Sequence, residues 1–211
     1  PVTDPDREAE RAIREVIASR YPDHGITGEE WPDRPGTSAY SWSLDPVDGT
    51  RSFICGLPTW VTLIGLLKDG RPELGLIDAP RLDEIYVGFD DQAWMISRRQ
   101  RTALRTSGCT DMADARLSTT DPFLFDGGSA AAFGRLRETA RTTRYGHDGY
   151  GYARVAPGSL DLVIECGLKP HDYNALIPVV RGAGGVIGDW RGSEDFAAGN
   201  VIAAATRELY D

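Results

Sequence analysis

The chain has 211 residues, 41% of them hydrophobic and 26% charged, which suits an ordinary water-soluble globular protein with material for one core or two intimately packed halves. Its net charge of -9, from 23 basic and 32 acidic residues, excludes a nucleic-acid backbone as natural partner. Cys55, Cys109 and Cys166 form no Cys-x-x-Cys pair, and neither a signal-peptide pattern nor an apolar run near ~18 residues is present. A disulfide framework, a zinc site and membrane insertion are therefore not expected, and a reducing cytoplasm is.

Thr3-Asp4-Pro5-Asp6 has the chemistry of a helix start: a capping side chain, a proline for the first turn and acids at the positive end of the dipole. Ala9, Ala12, Ile13, Val16 and Ile17 follow at helical spacing, and Tyr21-Pro22 ends the run. The chain then reaches Gly28-Glu29-Glu30, two glutamates that in isolation are solvated surface charge. The segment 31–38, with two prolines and a glycine, is expected to be a loop.

Tyr40 to Leu44 alternates as a half-buried strand does, so Asp45 falls where that strand leaves its sheet. Pro46 bars Asp45 from helical geometry, and Gly49 permits dihedrals that a side chain forbids. A rigid turn of this kind can aim Asp45, Asp48 and the Val47 carbonyl at one point, the all-oxygen environment that Mg²⁺ prefers. The N–H groups of Gly49 and Thr50 would then face a phosphate at the start of a short helical turn. Turn chemistry alone also explains every residue of Asp-Pro-x-Asp-Gly.

Val61–Lys68 and Arg71–Asp78 are strand-like runs joined by Asp69-Gly70, a hairpin signal, and Glu84–Gly88 with Gln92–Ile96 continue an antiparallel meander. Strands are expected as far as Thr119. Beyond it Ser129 to Thr142 is helical, with Ala132, Phe133, Leu136 and Ala140 on one face. Short strands at Thr143–Tyr145, Leu160–Glu165, Val186–Asp189 and Val201–Ala205 then alternate with helices. The expected halves are 1–119, an α+β metal- and phosphate-binding half, and 120–211, an α/β half completing the site. A strand ending at Glu165 and a helix starting after Asp172 would put both carboxylates at one sheet edge.

Asp45-Pro46-Val47-Asp48-Gly49-Thr50 resembles the signature of the inositol monophosphatase superfamily of Mg²⁺-dependent phosphatases. Pro1 to Asp6, Gly28-Glu29-Glu30, His171 to Leu176 and Gly182-Ala183-Gly184-Gly185 agree with it in order, covering nearly the whole chain. The resemblance implies an αβαβα sandwich, with a further helix and strand ahead of Pro1 that carry a lysine-bearing loop. It implies two or three Mg²⁺ per site, held by Glu29, Asp45, the Val47 carbonyl, Asp48 and Asp172. Asp6 and Thr50 match the pair that orients the attacking water, Asp6 accepting from the threonine hydroxyl, with Glu30 assisting. His171 stands where most members have an aromatic residue, and Asn174 where a small apolar one is usual.

The segments 51–58, 145–152 and 167–172 are most similar to the histidinol-phosphate phosphatase branch. Histidinol phosphate carries an ammonium, which carboxylates at the leaving-group side would suit, and Asp148 and Glu165 are the candidates. Asp148 can also be a turn aspartate beside Gly149. For Glu165 the matching family position contacts the substrate's alcohol portion. The expected protein is a homodimer acting on a small phosphate ester, with no nucleic-acid or membrane partner. Inositol phosphate or another sugar phosphate is the alternative substrate, and a catalytically silent metal-binding relative the alternative role.

Overall fold

A computed structural model describes residues 3–211; Pro1 and Val2, the first residues of the stretch leading into the first helix, lie outside the described residues. Helix α1 (Asp4–Arg20) starts as its sequence predicts, with Thr3 in extended geometry as its cap and the Thr3 amide donating to the Asp6 carboxylate at 3.0 Å. Its buried face does not follow the apolar spacing. Ala12 is exposed and Val16 is 57% exposed, whereas Asp6, Glu10 and Ile17 are buried. The cause is polar: Glu10 accepts from the Arg14 side chain at 2.7 Å and from the Glu30 amide at 2.8 Å, and those satisfied bonds turn the helix. Ile13 and Ile17 alone carry the apolar contact, against Ile26 and Leu44.

A first sheet contains β1 (Gly25–Gly28), β2 (Tyr40–Asp48), β3 (Val61–Lys68), β4 (Arg71–Ala79), β5 (Glu84–Phe89), β6 (Gln92–Ser97) and β7 (Gln100–Ala103), in that spatial order. β1 is parallel to β2, and every later pairing is antiparallel. Asp69 and Gly70 both have positive φ, as the two-residue hairpin turn requires. The short α2 (Thr50–Ile54) lies between β2 and β3.

The second sheet has the order β11-β12-β10-β8-β9, from β8 (Arg116–Thr119), β9 (Thr142–Tyr145), β10 (Leu162–Glu165), β11 (Val186–Gly188) and β12 (Val201–Ala204). β8 thus belongs with the second half, and the change of sheet falls between Ala103 and Arg116 rather than near Thr120. Its partners, β9 and β10, both run parallel to it and come later in the chain, which a local pattern does not reveal. Helix α3 (Gly127–Thr139) ends before Thr142, which opens β9. Helices α4 (Asp148–Val155), α5 (Pro170–Tyr173), α6 (Leu176–Gly182) and α7 (Arg207–Tyr210) complete the chain.

The layers are the expected αβαβα. Between the sheets, Val155 of α4 and Val179 of α6 join Leu63 and Ile77 from one sheet and Val163 and Val201 from the other. Phe133 of α3 packs on Leu117 and Leu162 outside the second sheet. No helix among the described residues is long and apolar enough to cross a membrane.

A lane without side chains sets the middle layer. Gly65 pairs with Gly75 and Gly75 with Gly88 across three adjacent strands. A Cβ on Gly75 would overlap the Ala175 carbonyl, and one on Gly88 would overlap the Pro178 backbone, so the start of α6 rests on bare strand backbone. This contact presses α5, the turn just before α6, against β2. Gly75→Ala should therefore lower unfolding free energy by about 1–3 kcal/mol or more, read from the urea midpoint. An unchanged midpoint would show that the helix can lift off the lane freely.

Candidate active site

The end of β2 carries the first acidic group. Asp45 is 2% exposed, and its Oδ1 accepts from the Val47 amide at 3.1 Å, closing the turn around Pro46. The strand register shifts between Asp45 and Asp48, and the Thr62 hydroxyl takes up the freed Pro46 carbonyl at 2.7 Å. Gly49 then caps α2 with φ of 84°.

Asp172 arrives from the other half of the chain. It lies in the short α5, where its Oδ2 accepts from the Lys169 amide at 2.7 Å. The lane places α5 so that the Ser43 hydroxyl lies 3.4 Å from the Pro170 carbonyl and accepts from the Asn174 amide at 3.1 Å. This accounts for Asn174, which is buried and fixes α5 to β2.

Two triads result. Asp45, Asp48 and Asp172 present oxygens within 4.8 Å of one another, and so do Glu29, Asp45 and a nitrogen of His171. Asp45 belongs to both. Glu29 follows β1, its amide donating to the Leu44 carbonyl at 3.2 Å. The Glu30 side chain is 3% exposed, 3.8 Å from Arg7.

An open cleft of about 280 Å³ lies over these groups, lined by Glu29, Asp48, Gly49, Asp148, Glu165 and Asp172 among others. Asp148 is the first residue of α4, held at a φ of 47° that non-glycine residues seldom adopt. The next residue, Gly149, donates its amide to Asp48. Glu165 ends β10 and accepts from the Thr120 amide at 2.6 Å and hydroxyl at 2.8 Å. Both carboxylates expected on the leaving-group side thus face the same cleft as Asp48 and Asp172.

One expected pairing is absent. Among the described residues Thr50 donates to the Val47 carbonyl at 3.1 Å, not to Asp6. Asp6 instead accepts from the Thr3 amide and hydroxyl, and its Oδ1 is buried without a partner. Sequence reasoning missed two further residues. His171 joins the site although a lone histidine has no spacing signal, and Glu10 anchors the Glu30 backbone from a position that helix periodicity assigns to solvent.

The electrostatics show what this arrangement favours. Burial, then the Asp48 and Glu29 charges, hold the Asp45 carboxyl well above its usual range; burial, then Asp148 and Asp172, do the same to Asp48. Burial pushes Asp148 up to about 6 and Glu165 up to about 7, the latter against the bonds from Thr120. Hard oxygen donors crowded together, with the orphaned Asp6 oxygen nearby, fit divalent cations: Glu29, Asp45, Asp48 and Asp172 as ligands.

The inositol monophosphatase family model matches residues 1–211. The chain belongs to the inositol monophosphatase family. This is a metal-dependent family of phosphatases, and the member named bifunctional phosphatase IMPL2, chloroplastic, from Arabidopsis thaliana is 43% identical over 98% of this chain. The chain spans 59% of the length of that relative. A histidinol-phosphatase of Chlorobaculum parvum is 33% identical over 99% of this chain and 80% of its own length. Among solved structures, an inositol monophosphatase from Zymomonas mobilis is 39% identical, with a TM-score of 0.87 over 97% of this chain and 79% of its own.

The raised carboxylates have a consequence for stability in chelator. A carboxyl with a folded pKa above its unfolded value near ~4 binds more protons folded than unfolded between those values, so stability falls as pH rises through that window. With Glu165 at about 7 and Asp148 at about 6, the window here runs up to neutrality. Asp161 does not offset this: burial raises it, hydrogen bonds from Arg116 and Ser107 outweigh burial and depress it, and its contribution is lost only in stronger acid. In chelator the protein should be more stable at pH 5 than at pH 8, by about 1.4 kcal/mol per pH unit for each proton, and melt at a correspondingly higher temperature. Excess divalent metal at pH 8 should restore the loss. A Tm in chelator that climbs from pH 5 to pH 8 would contradict the assignment.

Proposed function

We propose that the chain is a Mg²⁺-dependent phosphomonoesterase whose substrate is histidinol phosphate, hydrolysed by direct attack of water. The observation that carries the hydrolysis is that Asp45 belongs to both candidate ligand triads, so that Glu29, Asp45, Asp48 and Asp172 together would hold the cations. Bound Mg²⁺ would supply neutralisation of the phosphate and a hydroxide-like nucleophile near neutral pH.

The protein's own groups then have separable tasks. Glu29, Asp45, Asp48, Asp172 and the Val47 carbonyl would hold the cations, since the carbonyl keeps a lone pair beside its bond from Thr50. Because the Thr50 hydroxyl donates to Val47, its oxygen remains an acceptor and can orient the attacking water by taking a hydrogen bond from it. Asp6, which is buried, and Glu30, whose side chain is nearly so, would set the charge near Glu29 rather than meet the water directly. The N–H groups opening α2, at Gly49 and Thr50, would face the phosphate.

The alcohol portion is read by Asp148 and Glu165. Two carboxylates lining the cleft, both with raised pKa, are stabilised by an ammonium and gain nothing comparable from neutral hydroxyls. The histidinol-phosphatase name of one relative supports this choice. Inositol phosphate is the second reading, supported by the Zymomonas mobilis structure. A homodimer in a reducing compartment completes the proposal; all three cysteines are free.

Activity should vanish in chelator and return with Mg²⁺, and Asp45→Asn should lose at least the 10- to 100-fold typical of outer-shell changes near a metal. Near-normal turnover of Asp45→Asn at saturating Mg²⁺ would remove it from the site. For the substrate, kcat/KM for histidinol phosphate should exceed that for inositol phosphate by roughly 10² or more, with Glu165→Gln narrowing the gap. Equal turnover of the two esters, or an unchanged preference in the variant, would favour the sugar-phosphate reading.

A further inference from the structure

His171 and Asp172 are adjacent in α5, yet they serve different groups. Asp172 closes a triad with Asp45 and Asp48, whereas a His171 nitrogen comes within 4.8 Å of oxygens from Glu29 and Asp45. The imidazole is not a loosely placed surface ring: its side chain is 14% exposed, with Nε2 3.4 Å from Asp172 Oδ1. Its placement is built into the fold. Pro170 and Asn174, on either side of it, both contact the hydroxyl of Ser43, which shares a strand face with Asp45. The glycine lane under α6 holds the same turn from the other end. The backbone on either side of the ring is thereby fixed, and a ring nitrogen already lies within 4.8 Å of the Glu29 and Asp45 oxygens.

We propose that an imidazole nitrogen of His171 is a ligand of the cation held by Glu29 and Asp45. That position then has a mixed nitrogen and oxygen donor set, while the Asp45–Asp48–Asp172 position keeps oxygen alone. The two positions consequently differ in metal preference. Mg²⁺ favours oxygen donors, and an imidazole shifts a site toward first-row transition ions. The inference rests on the metal-dependent reading above and adds to it a ligand and a difference between the two cation positions.

The test uses Mn²⁺ as the probe and does not depend on turnover. Protein carrying ¹⁵N-labelled histidine, saturated with Mn²⁺, should show histidine nitrogen coupling in pulsed electron paramagnetic resonance. That coupling should disappear in both His171→Phe and His171→Gln, which leave His24 and His147 in place. Mn²⁺ affinity, measured by calorimetry, should fall about tenfold or more in the variants, and Mg²⁺ affinity should fall less. Because the first measurement is made on the unaltered chain, a variant that fails to fold does not decide the outcome. Mn²⁺ bound with no histidine coupling would overturn the inference and leave the metal reading standing. Coupling that survives in a folded variant would likewise overturn it. Failure to bind Mn²⁺ at all would remove both.

Discussion

Like charge held at short range is the constraint around which this molecule is arranged. Asp45 lies within 4.8 Å of acidic partners in two directions, in a place where it is 2% exposed. Carboxylates so placed either take up protons or share cations, and burial together with the neighbouring charges displaces Asp45 and Asp48 upward. The surrounding donors hold the oxygens in place without discharging them. The Gly149 and Lys169 amides donate to Asp48 and Asp172, and the Thr120 amide and hydroxyl to Glu165. Backbone donors keep a carboxylate oriented while leaving its remaining lone pairs available.

Such a cluster needs a scaffold stiffer than side-chain packing alone provides. The first sheet supplies Asp45 and Asp48 from one strand end, and α5, the turn just before the helix laid on its glycine lane, supplies Asp172. Contact between two backbones has little slack, since neither has rotamers with which to adjust. The cleft opens where both meet the ends of β10 and β8, which places Glu165 and Thr120 on its far wall. Asp45 and Glu165 are thereby carried by different sheets.

Much of this was legible in the residues, for definite reasons. The meander from β3 to β6 follows from period-two alternation and an Asp-Gly turn, both local signals. The acidic turn at Asp45 and its partners Glu29 and Asp172 were recognisable because residue types and order resemble a family signature. Helix α4 falls between two strands, where the alternating layout expects a helix, although Gly149 and Gly151 are poor helix formers; its first turn is anchored by the bond from Gly149 to Asp48. The face of α1 was misread because periodicity counts apolar residues, and here a buried, hydrogen-bonded glutamate decided the orientation. Asp6 and Thr50 were paired by resemblance, but local bonds to Thr3 and Val47 engage them separately.

The strand order of the two sheets bears on how the chain reaches this state. In the first sheet each strand neighbours the one next in sequence, so its pairings close short loops and lose little chain entropy. The second sheet pairs β10 with β8 and β12, and it forms only after longer stretches have come together. Asp172 lies on the late side of that divide. On loop-closure grounds the meander, with Asp45 and Asp48 already at its edge, is the early structure, and the cation site is finished only when the C-terminal helices settle. A chain emerging from the ribosome would pass through a stage with an unfinished site, when divalent ions have Glu29, Asp45 and Asp48 to grip but not yet Asp172.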